Sequence, residues 1–140
     1  MTSNWQEKYS SMLFSRRGRI LTITLNNPDS LNSVGKQMHD ELGQVFIDVA
    51  GDEDSDVIIL TGSGRAFSAG GDIVHMQSIV DNPQQFIHEA DVAKRIVFSL
   101  LDLEKPIIAK INGHAVGLGA TLALLCDVSF MSTSAKIGDP

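Results

Sequence analysis

Two glycine-rich segments hold the residues best suited to chemistry: Arg65-Ala66-Phe67-Ser68-Ala69-Gly70-Gly71-Asp72-Ile73, and Ile111-Asn112-Gly113-His114-Ala115-Val116-Gly117-Leu118-Gly119-Ala120-Thr121. Small side chains at Ala69, Gly70 and Gly71 let a ligand approach the backbone closely, and the amides there are not committed to a strand ladder. In the second segment the glycines precede a helical run. The N–H of Leu118 then points out of the first turn, at the positive end of the helix dipole. Two such donors aimed at one point make an oxyanion hole, in which losing one donor costs about 2.7–4 kcal/mol in a well-studied protease. Taken singly, either segment is equally well explained by tight turns and close helix–strand packing.

Other chemistries have weaker support. Ala66-Phe67-Ser68-Ala69-Gly70 comes one residue from the Gly-x-Ser-x-Gly nucleophile elbow, which makes a serine hydrolase using Ser68 a minor alternative. No apolar helix begins at Ala69, where an elbow needs one. No Gly-x-x-x-x-Gly-Lys-Ser/Thr segment exists, and neither Gly62-Ser63-Gly64 nor Gly117-Leu118-Gly119 extends to Gly-x-Gly-x-x-Gly. His39, His75, His88 and His114 are scattered and there is a single cysteine, so no metal site is expected. His114, four residues before Leu118, is of the residue type most used for proton transfer near neutral pH, though a strand-end histidine is more often structural. Asp72 is suited to accepting backbone N–H bonds in its loop, and Thr121 to bonding back to a helix carbonyl.

The elements that must position these segments read as alternating strand, loop and helix. Met12-Leu13-Phe14 and Ile20–Leu25 flank a turn containing Gly18 and form a hairpin. From Ser33, which can cap, the apolar positions Val34, Met38, Leu42, Val45, Phe46 and Val49 make a helical stripe. Val57–Leu60 is a strand buried on both faces. Asn82-Pro83 opens a helix carrying Phe86, Ile87, Ala90, Ala93, Val97, Leu100 and Leu101 on one side, stopped before Pro106. Ile107–Ile111 is a strand, Leu118–Cys126 an apolar helix buried nearly all round, Val128–Met131 a strand, and Ala135–Ile137 a further one.

With 140 residues, 43% hydrophobic and 20% charged, the chain has the composition of one globular α/β domain over 1–140. A net charge of −6 argues against nucleic acid or an anionic membrane surface as partner. The longest apolar run, Ala115–Cys126, falls short of the roughly 20 residues of a membrane-spanning helix. No signal peptide opens the chain, so a cytoplasmic protein is expected. Cys126 lies in an apolar run and reads as a buried thiol. The last strand lacks the helix that the alternation would place after it, so the chain reads as an incomplete, N-terminal portion.

The pair Ala-Phe-Ser-Ala-Gly-Gly-Asp-Ile and Asn-Gly-His-Ala-Val-Gly-Leu-Gly-Ala resembles the enoyl-CoA hydratase/isomerase (crotonase) superfamily. The likeness extends to Asn26-Asn27-Pro28, Leu31-Asn32-Ser33, Thr61-Gly62-Ser63-Gly64, Lys105-Pro106-Ile107-Ile108-Ala109 and Cys126-Asp127. It implies a spiral of β-β-α turns whose C-terminal part is missing here, assembled as a homotrimer or homohexamer. It also implies an acyl-CoA substrate with no permanently bound cofactor, its thioester carbonyl held by the N–H groups of Gly71 and Leu118. The backbone at Ser68-Ala69 and Asp72-Ile73, with Ser30 and Leu31, would hold coenzyme A. Arg16, Arg17, Arg19 and Lys36 are candidates for its phosphates. One departure bears on the reaction: Thr121 stands where hydratases of this family carry a glutamate, and their second glutamate would follow Pro140. Threonine cannot act as a general base near neutral pH. The resemblance therefore implies lyase or isomerase chemistry with a single base and argues against classical hydration. The alternative is a catalytically silent binder of coenzyme A thioesters.

Overall fold

The computed structural model describes residues 4–140. Strands β1 (Met12–Arg17) and β2 (Ile20–Leu25) form the antiparallel hairpin. Gly18, the first residue of its two-residue turn, has φ +58°, as tight hairpin turns require. Along β2 every second side chain, Leu21, Ile23 and Leu25, is fully buried. Strands β3 (Val57–Gly62), β4 (Ile107–Ile111) and β6 (Val128–Met131) then add in parallel, giving the order β1-β2-β3-β4-β6.

Each parallel strand is followed by a short extended piece that pairs in a second column. Val34 bridges Gly71, Ser68 bridges Ala115, and β5 (Ala115–Val116) pairs with β7 (Ile137–Gly138). A helix follows most of these pieces: α1 (Lys36–Ala50) after Val34, α2 (Ile73–Asp81) and α3 (Pro83–Leu101) after Gly71, and α4 (Leu118–Leu125) after β5. Long strand, short strand, helix, repeated, is the β-β-α spiral that the resemblance implies. Two sequence segments that are remote along the chain become neighbours in the second column.

Helix α1 buries Met38, Leu42, Val45, Phe46 and Val49, as its periodicity predicts. Its start differs from expectation. The cap position is Gly35, and Ser33 makes no cap. Val34 is extended because its N–H donates to the Gly70 carbonyl at 2.7 Å and its carbonyl accepts from Asp72 at 3.0 Å. Those two bonds outweigh the extra helical turn. Helix α2 was not anticipated, and no residue in it is buried. Helix α3 turns a different face to the core from the one expected: Glu89, Val92, Ile96 and Leu100 are buried, whereas Phe86, Ile87 and Leu101 are 62%, 70% and 56% exposed. Helix α4 is not buried all round, since Leu124 and Thr121 are exposed. Strand β6 forms where expected but all four of its residues are exposed. No helix among the described residues is long and apolar enough to cross a membrane.

Candidate functional site

Two asparagines shape the first loop. Asn32, fully buried, accepts from the Asn27 N–H at 2.8 Å and donates to the carbonyls of Ser63 and Ala66 at 2.9 and 3.0 Å. It and Leu31 sit in the left-handed region, φ 54° and 58°, a conformation asparagine tolerates better than leucine. From the other side Asn112 donates to the carbonyls of Gly64 and Ala66, both at 3.1 Å, and accepts from the Gly62 N–H at 3.1 Å. The loop is thereby held by side chains where it has no ladder of its own.

The second segment is laid directly against it. Ser68 donates its backbone N–H to His114 at 3.2 Å and accepts at its carbonyl from Val116 at 3.0 Å. Glycine is what permits this contact. At Gly119 a Cβ would stand 2.5 Å from the Ser68 carbonyl oxygen. At Gly70, where φ is +87°, it would stand 2.6 Å from the Val116 carbonyl oxygen and 3.4 Å from the Leu118 nitrogen. Gly70 and Leu118 are therefore in near contact.

This juxtaposition leaves two amides free. Val34 pairs with the Gly70 carbonyl and the Asp72 N–H, stepping over the N–H of Gly71. Leu118 is the first residue of α4, and the first N–H to bond back is that of Thr121, to Gly117 at 3.0 Å. Among the described residues neither the Gly71 nor the Leu118 N–H has an acceptor. Both residues line two cavities at once. One, of about 710 Å³, is bordered by Ser30, Ser33, Ala69, Asp72, Ile73 and Val116. The other, of about 420 Å³, is apolar and is bordered by Val34, Met76, Ile79, Val80, Phe86 and Ala90.

Of the residues expected to hold coenzyme A, Ser30, Ala69, Gly71, Asp72 and Ile73 line the larger cavity, and Leu31 and Ser68 do not. The Leu31 carbonyl accepts the Ala69 N–H at 2.9 Å. Ser68 is fully buried, its hydroxyl donating to the Asn32 carbonyl at 2.8 Å and accepting from the Gly70 N–H at 3.2 Å. A hydroxyl so engaged and so enclosed is no nucleophile, which removes the serine hydrolase reading. Asp72 caps α2, accepting from the His75 N–H at 2.9 Å, the backbone role expected of it. His114 is exposed and lines neither cavity. Its Nδ1 accepts from the Lys136 N–H at 3.0 Å, and its carbonyl takes the N–H groups of Phe67 and Ser68, so it fastens loops together. Thr121 donates its hydroxyl to the Gly117 carbonyl at 3.3 Å.

The cations expected at phosphates are largely engaged elsewhere. Arg16 forks onto Asp52 at 2.9 and 3.0 Å, Arg19 pairs with Asp56 at 2.6 Å, and Lys36 pairs with Asp40 at 2.9 Å. Cys126 donates to the Leu122 carbonyl at 3.2 Å, and burial pushes its thiol up to about 12, so no thiolate forms near neutral pH.

Sequence spacing missed a cluster in the lining of the apolar cavity. His39 of α1, His75 of α2 and Glu89 of α3 line it together, and their donor atoms lie within 4.8 Å of one another. Glu89 Oε2 is 2.8 Å from His39 Nδ1 and 3.4 Å from His75 Nε2. Beyond these contacts neither His39 Nδ1 nor Glu89 Oε2 has a hydrogen-bond partner. Burial lowers the pKa of His39, against an opposing pull from Glu89, and keeps the ring neutral at pH 7. The three histidine and carboxylate positions are scattered along the chain, and only the packing of three helices unites them.

Comparison with known proteins agrees with this architecture. Residues 15–140 match the Enoyl-CoA hydratase/isomerase family. A protein of Arabidopsis thaliana called probable enoyl-CoA hydratase 1, peroxisomal, is 39% identical over 122 residues, 87% of this chain and 44% of that protein. The short-chain-enoyl-CoA hydratase of Clostridium acetobutylicum is 30% identical over 132 residues, 94% of this chain and 50% of that protein. The crystal structure of an enoyl-CoA hydratase/isomerase from Mycobacterium paratuberculosis superposes with a TM-score of 0.90 at 33% identity, covering 93% of this chain and 52% of that one. The fold is therefore the crotonase fold, and the chain belongs to the enoyl-CoA hydratase/isomerase family. It spans about half the length of the curated relatives it matches.

Proposed function

We propose that the protein processes acyl-CoA thioesters by stabilising a thioester enolate. One observation carries the reading: the unengaged amides of Gly71 and Leu118 stand where an open mouth meets an apolar recess. A carbonyl oxygen between them gains two hydrogen bonds that strengthen as negative charge moves onto it, so the enolate is favoured over the ground state. The larger cavity suits the pantetheine arm of coenzyme A, along Ser30, Ala69, Asp72 and Ile73, and the recess suits the acyl chain. Coenzyme A enters as part of the substrate, and the scheme needs no resident cofactor.

Thr121 supplies no acid or base, which favours lyase or isomerase chemistry with one proton-transferring group over hydration by a carboxylate pair. Assembly as a homotrimer or homohexamer is part of the reading, supported by apolar side chains left in solvent at Ile73, Val74, Phe86 and Phe130. The test is a panel of enoyl- and β-ketoacyl-CoA substrates offered to the full-length protein. Binding with turnover of at least one substrate is expected. Binding without any turnover would favour the silent thioester binder, which Thr121 alone would motivate. No binding refutes both.

A further inference from the structure

Glu89 is an unusual residue to find in the wall of an apolar recess. It is only 7% exposed, and the only partners of its Oε2 are two imidazoles, His39 at 2.8 Å and His75 at 3.4 Å. Burying a carboxylate costs several kcal/mol unless neighbours compensate, so native structures rarely keep one without a use. Its surroundings compensate only in part. From α1 it faces His39, with Asp40 and Lys36 beyond; from α2 it faces His75; on its own helix His88 is adjacent. Both facing imidazoles approach the same oxygen, so the carboxylate is flanked, not clamped.

The recess that holds Glu89 also contains Gly71 and Leu118 in its wall. An acyl chain entering with its carbonyl at those amides runs into the space that Glu89 borders. We propose that Glu89 is the proton acceptor of this site, taking over the acid–base work for which Thr121 is unsuited. The inference rests on the acyl-CoA reading above. In the step, Glu89 takes the α-proton. The C–H electron pair becomes the C=C bond of the enolate, and the carbonyl π-pair moves onto the oxygen held by Gly71 and Leu118. Return of the proton from Glu89 to the γ-carbon of a β,γ-unsaturated chain re-forms the carbonyl and shifts the double bond. Charge and atoms balance without a co-reactant.

The experiment uses the full-length protein and but-3-enoyl-CoA. Three quantities are read: binding by calorimetry, deuterium uptake at the α-carbon in D2O by mass spectrometry, and the appearance of crotonyl-CoA. Glu89→Gln keeps the shape and removes the base. It is expected to bind within about threefold of wild type and to lose exchange and isomerisation by about 10²–10⁴-fold, the range of a lost general base. Glu89→Asp keeps a carboxylate and is expected to retain measurable exchange. Should Glu89→Gln fail to fold in thermal melts, the Glu89→Asp comparison decides. Exchange in wild type is expected to survive EDTA.

Wild type that does not bind sinks the acyl-CoA reading itself. Wild type that binds without α-exchange, or exchange in Glu89→Gln within tenfold of wild type, overturns the role of Glu89 alone. So does a Glu89→Asp variant no better than Glu89→Gln. Exchange that vanishes with EDTA and returns with zinc overturns it in favour of a metal held by His39, His75 and Glu89.

Discussion

The contact between the two glycine-rich loops can be tested by adding single methyl groups at three glycines that differ in what they would meet. At Gly18 φ is +58° and nothing lies within 4 Å, so Gly18→Ala carries only the backbone penalty of the left-handed region, about 1–2 kcal/mol. At Gly119 the φ is ordinary, but the new Cβ starts 2.5 Å from the Ser68 carbonyl oxygen and must move beyond 3.0 Å. Forced overpacking of this kind costs about 1–3 kcal/mol, offset by about 1 kcal/mol from alanine's better helix propensity. Gly70 combines both problems: φ is +87°, and the Cβ would start 2.6 Å from the Val116 carbonyl oxygen. The sum for Gly70→Ala is about 2–5 kcal/mol. The strain is relieved by pushing β5 and the start of α4 away from the first loop, which separates the Leu118 amide from that of Gly71. A lost oxyanion donor lowers turnover by about 10²–10³-fold. Urea denaturation and acyl-CoA turnover of the full-length variants read the two effects separately. The expected order of stability loss is Gly70→Ala above Gly119→Ala and Gly18→Ala, with turnover unchanged only in Gly18→Ala. If Gly70→Ala is no less stable than Gly18→Ala and turns over at wild-type rate, the loops do not meet as described.

Three further outcomes are expected. Asp52 sits behind Arg16; burial pushes its carboxyl up, but hydrogen bonds from Arg16, Ser55 and Trp5 outweigh this and bring it to about 2. A folded-state pKa below the unfolded value adds stability above about pH 4 that disappears as pH falls towards 2. Asp52→Asn should flatten that stretch of the urea-stability profile, by about 2 kcal/mol at most because the partly exposed Arg16 is screened. Ser68→Ala leaves the Gly70 N–H without its hydroxyl partner and should cost about 1–2 kcal/mol in denaturation while turnover persists; abolished turnover in a folded variant would restore the nucleophile reading. Thr121→Glu should raise hydration of short enoyl-CoA substrates, measured by loss of enone absorbance, and no gain would leave the threonine without bearing on the reaction.

What was legible in the sequence was mostly local. Two β-rich runs about a turn with Gly18 mark the hairpin, the step pattern from Val34 to Val49 marks α1, and glycine content marks both loops. The start of α1 was illegible because its cause lies far away: Val34 is drawn into extended pairing by Gly70 and Asp72. The same holds for the two asparagines. Nothing about Asn32 or Asn112 in one dimension reveals that both reach the Ala66 carbonyl. Arg16, Arg19 and Lys36 looked like phosphate ligands because charge without position carries no partner, and their carboxylates come from other elements or the next helical turn.

Helix α3 was misread for a more instructive reason. Its largest apolar residues near the start, Phe86 and Ile87, share a side with Leu100 in the sequence pattern, yet both are mostly exposed, and a carboxylate, Glu89, lies inside. Burial energy alone would choose the opposite arrangement, since Phe and Ile each gain about 1.5–3 kcal/mol on full burial and a carboxylate loses more than that unless its neighbours compensate. The lower half of the same helix packs Val92, Ile96 and Leu100 inward. Phe98 and Leu101 stay exposed in that half as well, so what sets the first turns apart is the buried carboxylate, in the stretch where Phe86, Glu89, Ala90 and Ala93 all contribute to the wall of the apolar recess. A carboxylate buried in the wall of an apolar recess is a conflict of the kind expected at functional positions. The same violation that defeated periodicity therefore marks Glu89.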